Sequence, residues 1–280
     1  MATSKYHLTS KAVSENPDGK YPFQVTEFLI PHEALRREMD RAIKALSSIT
    51  NIAAEPWKVE AFAKWFTEYF APAVHEHHDL EEKVVVPFYQ NLGAQPPAKT
   101  TADHGPIVQQ LDAMVRKVQE IRLVVRMDAA NRTAAVSLAA LRDEFHSFVS
   151  TMEDHLAEEE TAWPPIYLQY GKQKADECVQ QILSVGAGHQ VFEIFAGAVF
   201  NAMGIKIGGI EPCYPGEKGW ACPEMQAEFM HEMPLPVRLL LLPGWNKQFQ
   251  RYKALIYSVI TSQHDPSLLN DYYSCACIIS

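Results

Sequence analysis

Apolar residues recur every three or four positions along four long segments, the spacing that places them on one face of an α-helix. The first segment covers residues 26–48 and the second residues 56–92, where Pro56 suits the first turn of a helix. The third segment begins near Thr101, and the fourth covers residues 134–170. The apolar stripes of the first, third and fourth segments are Leu35, Met39, Ala42 and Leu46, then Ile107, Leu111, Met114, Val118 and Ile121, then Leu138, Leu141, Phe145, Phe148 and Met152. Four long helices with short connections predict an all-α fold, an up-and-down four-helix bundle.

The sequence changes character at both ends of this pattern. Residues 1–20 are polar and contain a turn cluster, so we expect a flexible tail before a bundle that covers residues 21–172. Residues 173–274 combine apolar helical stretches with a segment rich in Gly and Pro, which predicts a helical extension packed on the bundle. Residues 275–280 are predicted to form a separate tail.

The second and fourth segments contain the same motif, a His with a Glu four residues later and a Pro nine residues after the His. The motif occurs as His78, Glu82 and Pro87 and again as His155, Glu159 and Pro164. A four-residue step turns an α-helix by about 400°, so the imidazole and the carboxylate leave one face, a turn apart. A single His precedes each motif, at His32 and at His104, eight residues before an Asp. This internal duplication predicts two helix pairs that together form a metal site.

The clusters around these motifs offer alternatives. His77 and Glu81 also make a four-residue step, but the position of the Pro favours His78 with Glu82. Glu81 and its counterpart Glu158 would then lie about 100° away, on a solvated face or hydrogen-bonded to the ligands.

Two further histidines are candidates of lower rank. His75 lies three residues before His78 on nearly the same face, and we interpret it as a hydrogen-bonded neighbour rather than as an extra ligand or a proton relay. His146 lies nine residues before His155 and is expected to point to the opposite side of its helix.

The duplicated motif with its trailing Pro resembles the hemerythrin family, in the branch of hemerythrin-like or HHE cation-binding domains, over residues 21–172. The resemblance implies two iron ions with bridging carboxylates and terminal histidines. The ligands that it implies are His32, His78, Glu82, His104, His155 and Glu159. Independently, a set of imidazoles and carboxylates suits non-haem iron, manganese or zinc better than Ca²⁺ or Mg²⁺, which prefer oxygen ligands.

The chain departs from the oxygen carriers of that family at two positions. Val108 stands where they have a second His on the third helix, and Glu160 stands where they have an Asp. The resemblance therefore implies a symmetric site, which suits sensing, iron holding or redox chemistry better than O₂ transport. A ferritin-like site is disfavoured because it needs Glu-x-x-His on two helices, and the chain has that motif once, from Glu228 to His231.

Three functions are compatible with such a site. The first is a protein that binds or senses O₂, iron or a related small ligand. The alternative is a di-iron oxygenase or peroxidase that activates O₂ or hydrogen peroxide at the same open positions. The third is a scaffold that the metal stabilises. We favour binding, because the sequence shows no acid/base pair or nucleophile beyond the ligands.

Composition and charge narrow the partners. A formal net charge of -9 argues against nucleic-acid binding. The polar N-terminal residues and the lack of an apolar run of roughly 18 residues predict an intracellular, cytoplasmic protein without a spanning helix. The five cysteines are interpreted as thiols in that compartment.

The last residues suggest attachment to the cytoplasmic face of a membrane. Cys277, two aliphatic residues and Ser280 form a C-a-a-X prenylation box, and Cys275 is a candidate for palmitoylation. Residues 233–264 contain no Asp or Glu, so this apolar and basic stretch is suited either to an anionic lipid surface or to docking on the bundle.

Overall fold

The computed structural model describes five parts of the chain, namely residues 23–130, 132–186, 188–207, 219 and 223–270. The predicted lipidation sites Cys275 and Cys277 lie outside the described residues, as does the predicted tail at residues 1–20.

Four long helical segments form the bundle, and the all-α prediction is confirmed. They are α1 (Phe23–Ser48), a composite second helix of α2 (Pro56–Trp65), α3 (Ala71–Leu80) and α4 (Val86–Asn91), α5 (Ala98–Met127) and α6 (Arg132–Ala162). Helix α1 packs against α6, α2 packs against α5, and α5 packs along α6. The three predicted apolar stripes are buried in this interior, where each large side chain contributes about 1.5–3 kcal/mol through its removal from water.

Two π-helical turns interrupt the second helix, at Phe66–Phe70 and at Glu81–Val85. Each turn is followed within two residues by a proline, Pro72 or Pro87. A proline has no N–H to donate and its ring clashes with the carbonyl of the preceding turn, so a wider turn relieves both problems. A π turn also holds one residue more than an α turn, which changes the register of the side chains that follow it.

The fourth bundle helix ends at Ala162, earlier than residue 170 as predicted from the sequence. Pro164 then starts α7 (Pro164–Gly186), because a proline is well suited to a first turn and cannot continue the preceding one. Helix α7 is itself broken at Gly171, whose φ of 76° is a left-handed conformation that favours glycine.

The remaining elements belong to the extension. They are α8 (Gln190–Met203), α9 (Pro223–Glu232), a π turn (Val237–Leu241), α10 (Leu242–Thr261) and a short 3₁₀ helix (Pro266–Leu269). Helices α8 and α10 pack against each other and against α1 of the bundle. Their close approach requires Gly197, because a Cβ atom there would lie 2.6 Å from the Cβ of Phe249.

The apolar and basic stretch at residues 233–264 docks on the bundle through α10, the second of its two predicted arrangements. Trp245, Phe249 and Ile256 are buried there. Leu239 and Leu240, in the turn before α10, are 61% and 75% exposed. Within the described residues, no helix combines the length and the apolar character needed to cross a membrane.

Candidate metal centre

Seven ligand-type side chains from the four bundle helices converge in two clusters. One cluster contains His78, Glu81, His104 and His155, and the other contains His32, His77, Glu81 and Glu159. Within each cluster, one nitrogen or oxygen atom from every residue lies within 4.8 Å of all the others, and all seven residues are buried. Glu81 belongs to both clusters, which makes the two groups neighbours in one site.

The two carboxylates face histidines of both clusters. Glu81 Oε1 lies 3.5 Å from His77 Nε2, while its Oε2 lies 3.5 Å from His104 Nε2. Glu159 Oε2 lies 3.5 Å from both His32 Nε2 and His155 Nε2. Glu159 Oε1 lies 3.6 Å from His104 Nε2, so both oxygens of each carboxylate face histidines of the site.

Many polar atoms at the centre of this site make no hydrogen bond to the part of the chain that the structure describes. They include both oxygens of Glu81, Oε2 of Glu159, the Nε2 atoms of His32, His77 and His104, and both ring nitrogens of His78 and His155. A buried polar atom without a partner costs about 1–3 kcal/mol. So many of them in one small volume fit a site built to give its lone pairs to cations.

Two further glutamates fix the orientation of two of the rings. Glu160 contacts His32 Nδ1 at 3.2 Å, and Glu82 contacts His104 Nδ1 at 2.7 Å. When Nδ1 carries the proton, it donates to the carboxylate and leaves the Nε2 lone pair directed at the cluster. This is the usual support of a metal-binding histidine.

Glu160 is in turn held by Arg36. The guanidinium donates to Glu160 through one nitrogen and to Glu153 through another, with an Nε–Oε2 distance of 2.9 Å for the latter. Burial would raise the pKa of Glu160, but its hydrogen bond from His32 and the charge of Arg36 keep that pKa below the ordinary value. Glu160 therefore carries a negative charge beside His32.

That charge sets the protonation of His32. Burial alone lowers the pKa of this imidazole, but the hydrogen bond to Glu160 and the carboxylates of the cluster outweigh burial and raise the pKa to about 9. Burial and then the negative charge of Glu159 raise the pKa of Glu81 to about 7. Without a cation, the site thus retains protons at these two groups near neutral pH. Burial also lowers the pKa of His104, but the hydrogen bond to Glu159 and the charge of Glu81 outweigh burial and raise it.

The three remaining imidazoles behave in the opposite way. Burial, and then the neighbouring histidines, hold the pKa values of His77 and His78 well below the usual range. Burial lowers the pKa of His155 to about 4. These three rings are neutral at pH 7, so their lone pairs are available to a metal ion without proton loss.

Five of the six ligands predicted from the sequence lie in the clusters, namely His32, His78, His104, His155 and Glu159. Glu82 does not, and its place is taken by Glu81. The carboxylate of Glu82 is 37% exposed and contacts the outer nitrogen of His104. The ligand assignment itself stays a prediction, with Glu81 in place of Glu82.

The physical reason is the π turn at Glu81–Val85. Its extra residue moves Pro87 to the tenth position after His77, whereas Pro164 is the ninth after His155. The proline register that selected Glu82 is therefore shifted by one residue. The four-residue step alone does not choose between the two, because His77 with Glu81 and His78 with Glu82 both satisfy it.

His77, which the proline register set aside together with Glu81, also lies in one of the clusters. Adjacent residues on a helix point about 100° apart, so His77 and His78 reach different clusters. His78 has no counterpart in the duplicated motif, where Leu156 occupies the equivalent position and is buried. One cluster consequently has three imidazoles and the other has two, instead of the symmetric arrangement expected.

The remaining candidates lie outside the two clusters. His75 contacts Asp112 at 2.9 Å, as expected of a hydrogen-bonded neighbour. His146 is exposed. Glu158 pairs with Lys99 at the surface.

A helical bundle that encloses buried histidines and shared carboxylates in a duplicated register defines a non-haem metal-binding protein. The model of the hemerythrin HHE cation binding domain family matches residues 25–167, just over half of the 280 residues. The chain belongs to this family. No curated protein and no solved structure matches the chain significantly.

Proposed function

We propose that the seven clustered side chains hold two iron ions. His78, His104 and His155 would hold one ion, His32 and His77 would hold the other, and the carboxylates of Glu81 and Glu159 would be available to both. The unpaired nitrogen and oxygen atoms at the centre of the site support this proposal. Manganese and zinc accept the same donors, so metal analysis of the purified protein is the first test.

We further propose that the centre binds or senses O₂ or a related small ligand. The observation that carries this function is the unequal number of imidazoles. If both carboxylates served both ions, the side of His78, His104 and His155 would offer one protein ligand more than the side of His32 and His77. An iron ion that takes six ligands would therefore keep more positions for a small ligand on the side of His32 and His77. The bound iron pair would supply reversible electron transfer to such a ligand.

A second candidate function is the di-iron oxygenase or peroxidase that acts on O₂ or hydrogen peroxide. The specific observation that favours it is a cavity of about 220 Å³ whose lining includes His77 and Glu81, on the side with fewer imidazoles. A carrier of a diatomic ligand does not need this much space. A protein that oxidises an organic molecule does.

Addition of O₂ to the anaerobically prepared, reduced, iron-loaded protein separates these functions. A carrier or sensor gives an absorption band that disappears when O₂ is removed. An oxygenase or peroxidase consumes O₂ or hydrogen peroxide over many turnovers in the presence of a reductant. A protein that holds no iron after anaerobic loading would contradict the proposed centre.

A further inference from the structure

The cavity beside the metal centre lies between the bundle and the extension. The bundle contributes Phe28 of α1 and His77 of α3, and α7 contributes Val179 and Leu183. Helix α8 contributes Ala196 and its neighbours on the same face. The extension, which carries none of the clustered metal-type ligands, thus provides much of the wall of a chamber that reaches them.

The size and lining of the cavity match an organic molecule. An apolar cavity of about 150 Å³ already accommodates benzene in an engineered protein, and this one is about 220 Å³. An unfilled apolar cavity destabilises a fold in proportion to its volume. An extension that served only to cover the bundle would pack without such a space, as α8 and α10 do at Gly197.

The charged side chains that line the cavity disfavour an anionic ligand. Its described lining includes the carboxylates of Glu27, Glu81 and Asp176 and contains no Lys or Arg. Asp176 is paired with Lys172 at 3.0 Å, outside the lining. Away from the metal centre, a carboxylate, phosphate or sulfate in the cavity would face Glu27 and Asp176 with no Lys or Arg in the described lining.

The two sides of the cavity differ in their contact with solvent. His77 and Glu81 are buried, whereas Leu183, Phe229 and Met233 of the extension keep partial exposure. The residues after Met233 lead directly to the exposed Leu239 and Leu240. An apolar molecule can therefore approach along an apolar surface and reach the metal centre at the far side of the chamber.

We propose that the cavity binds an uncharged, apolar organic molecule, of a size between one aromatic ring and a pair of fused rings, against the His77–Glu81 side of the metal centre. The position of the ligand relative to iron rests on the proposed function, but the cavity and its occupant do not. The extension would thus have a role of its own, because it provides much of the cavity wall.

The first test uses 1-aminonaphthalene, a two-ring probe that is uncharged at neutral pH and whose fluorescence changes in an apolar site. We expect saturable binding of one probe to the full-length, zinc-loaded protein. Ala196→Phe puts a ring into the cavity from α8 and should weaken binding at least tenfold. Ala139→Phe, at an exposed position of α6, is the matched control and should leave binding unchanged.

Absence of saturable binding, or equal binding by both variants, would overturn the proposal. If Ala196→Phe does not fold, Leu183→Gln gives a second test at a partly exposed lining position. An added amide there should weaken binding severalfold because it replaces apolar contacts, and unchanged affinity would again count against the cavity.

The second test locates the probe relative to the metal. Paramagnetic cobalt(II) speeds the proton relaxation of a molecule held within a few ångströms, and zinc does not. We expect faster relaxation of the bound probe in the cobalt-loaded protein than in the zinc-loaded one. Equal relaxation in a protein that holds cobalt would place the probe elsewhere. If the protein holds no metal but still binds the probe, and Ala196→Phe still weakens that binding, the proposed metal centre is contradicted. The proposal for the cavity then stands.

Discussion

The second and fourth bundle helices carry the same motif and use it differently. In the fourth helix, His155, Glu159 and Glu160 lie on a continuous α-helix up to Ala162. In the second helix, Glu81 and Glu82 are the first two residues of a π turn, and His78 adds an imidazole that the fourth helix lacks. The duplicated sequence thus gives two similar halves but two clusters with unequal numbers of histidines. The cluster with fewer histidines is the one proposed to have room for a small ligand.

The largest effect is expected when Glu81 and Glu82 of the second helix are replaced one at a time and the two variants are compared. Glu81→Gln removes a carboxylate shared by both clusters, so the variant should lose at least half of the bound iron. Glu82→Gln removes only a contact to the outer nitrogen of His104 and should weaken metal binding about 10- to 100-fold. Metal analysis after anaerobic loading measures both. A greater loss of iron in the Glu82 variant would favour Glu82 as the ligand, as the position of the proline predicts, and would contradict the assignment of Glu81.

The next effect tests the extra imidazole directly. His78→Leu gives the second helix the residue that the fourth helix has at Leu156, and so makes the two clusters equal. We expect it to lower the iron content by up to half, and to change the absorption spectrum of the iron that remains. His75→Leu, which removes only the contact with Asp112, is the control and should keep the full iron content. Full loading and an unchanged spectrum in His78→Leu would remove His78 from the ligand set.

A third prediction concerns the proton that His32 releases when a metal ion binds. His32 has a pKa of about 9 without metal, so it is protonated at pH 7 and must lose that proton to bind a cation. Metal affinity should therefore rise as the pH increases from 7 to about 9 and become level above it. Zinc titration calorimetry in two buffers of different ionisation enthalpy measures the protons released.

Glu160→Gln should lower the pKa of His32 and reduce this proton release at pH 7.5. Glu153→Gln is the control, because Glu153 contacts Arg36 and not the imidazole. Proton release that is equal in the wild type and in Glu160→Gln would show that His32 is not the group that titrates.

The smallest effect is expected in the free energy of unfolding, when one glycine of the extension and one of the bundle are each replaced by alanine. Gly197→Ala places a methyl group against Phe249 and should lower the free energy of unfolding by about 1–3 kcal/mol. Gly105→Ala, on α5, meets nothing within 4 Å and should be neutral or stabilising by up to about 1 kcal/mol. Urea denaturation of the metal-loaded proteins measures both. Equal stabilities would mean that α8 and α10 do not need their close packing.

The bundle could be predicted from the sequence because its apolar stripes are regular and its motif is repeated. Leu111 and Phe145 are buried as their spacing requires. The choice between Glu81 and Glu82 could not be made in this way, because the proline register assumes an uninterrupted α-helix. The cavity could not be predicted from the sequence either. Ala196 and Phe28, which both line it, belong to segments far apart in the chain, and only the tertiary packing brings them together.

The π turn at Glu81–Val85 also determines how the second helix accommodates one extra residue. A single residue inserted into an ordinary helix would rotate every later side chain by about 100° and turn Tyr89 away from the interior. Tyr89 is nevertheless fully buried between Trp163 and Tyr167. The extra residue is confined to the π turn at Glu81–Val85, so the helix keeps its buried face beyond the turn although the register of its sequence has moved by one residue.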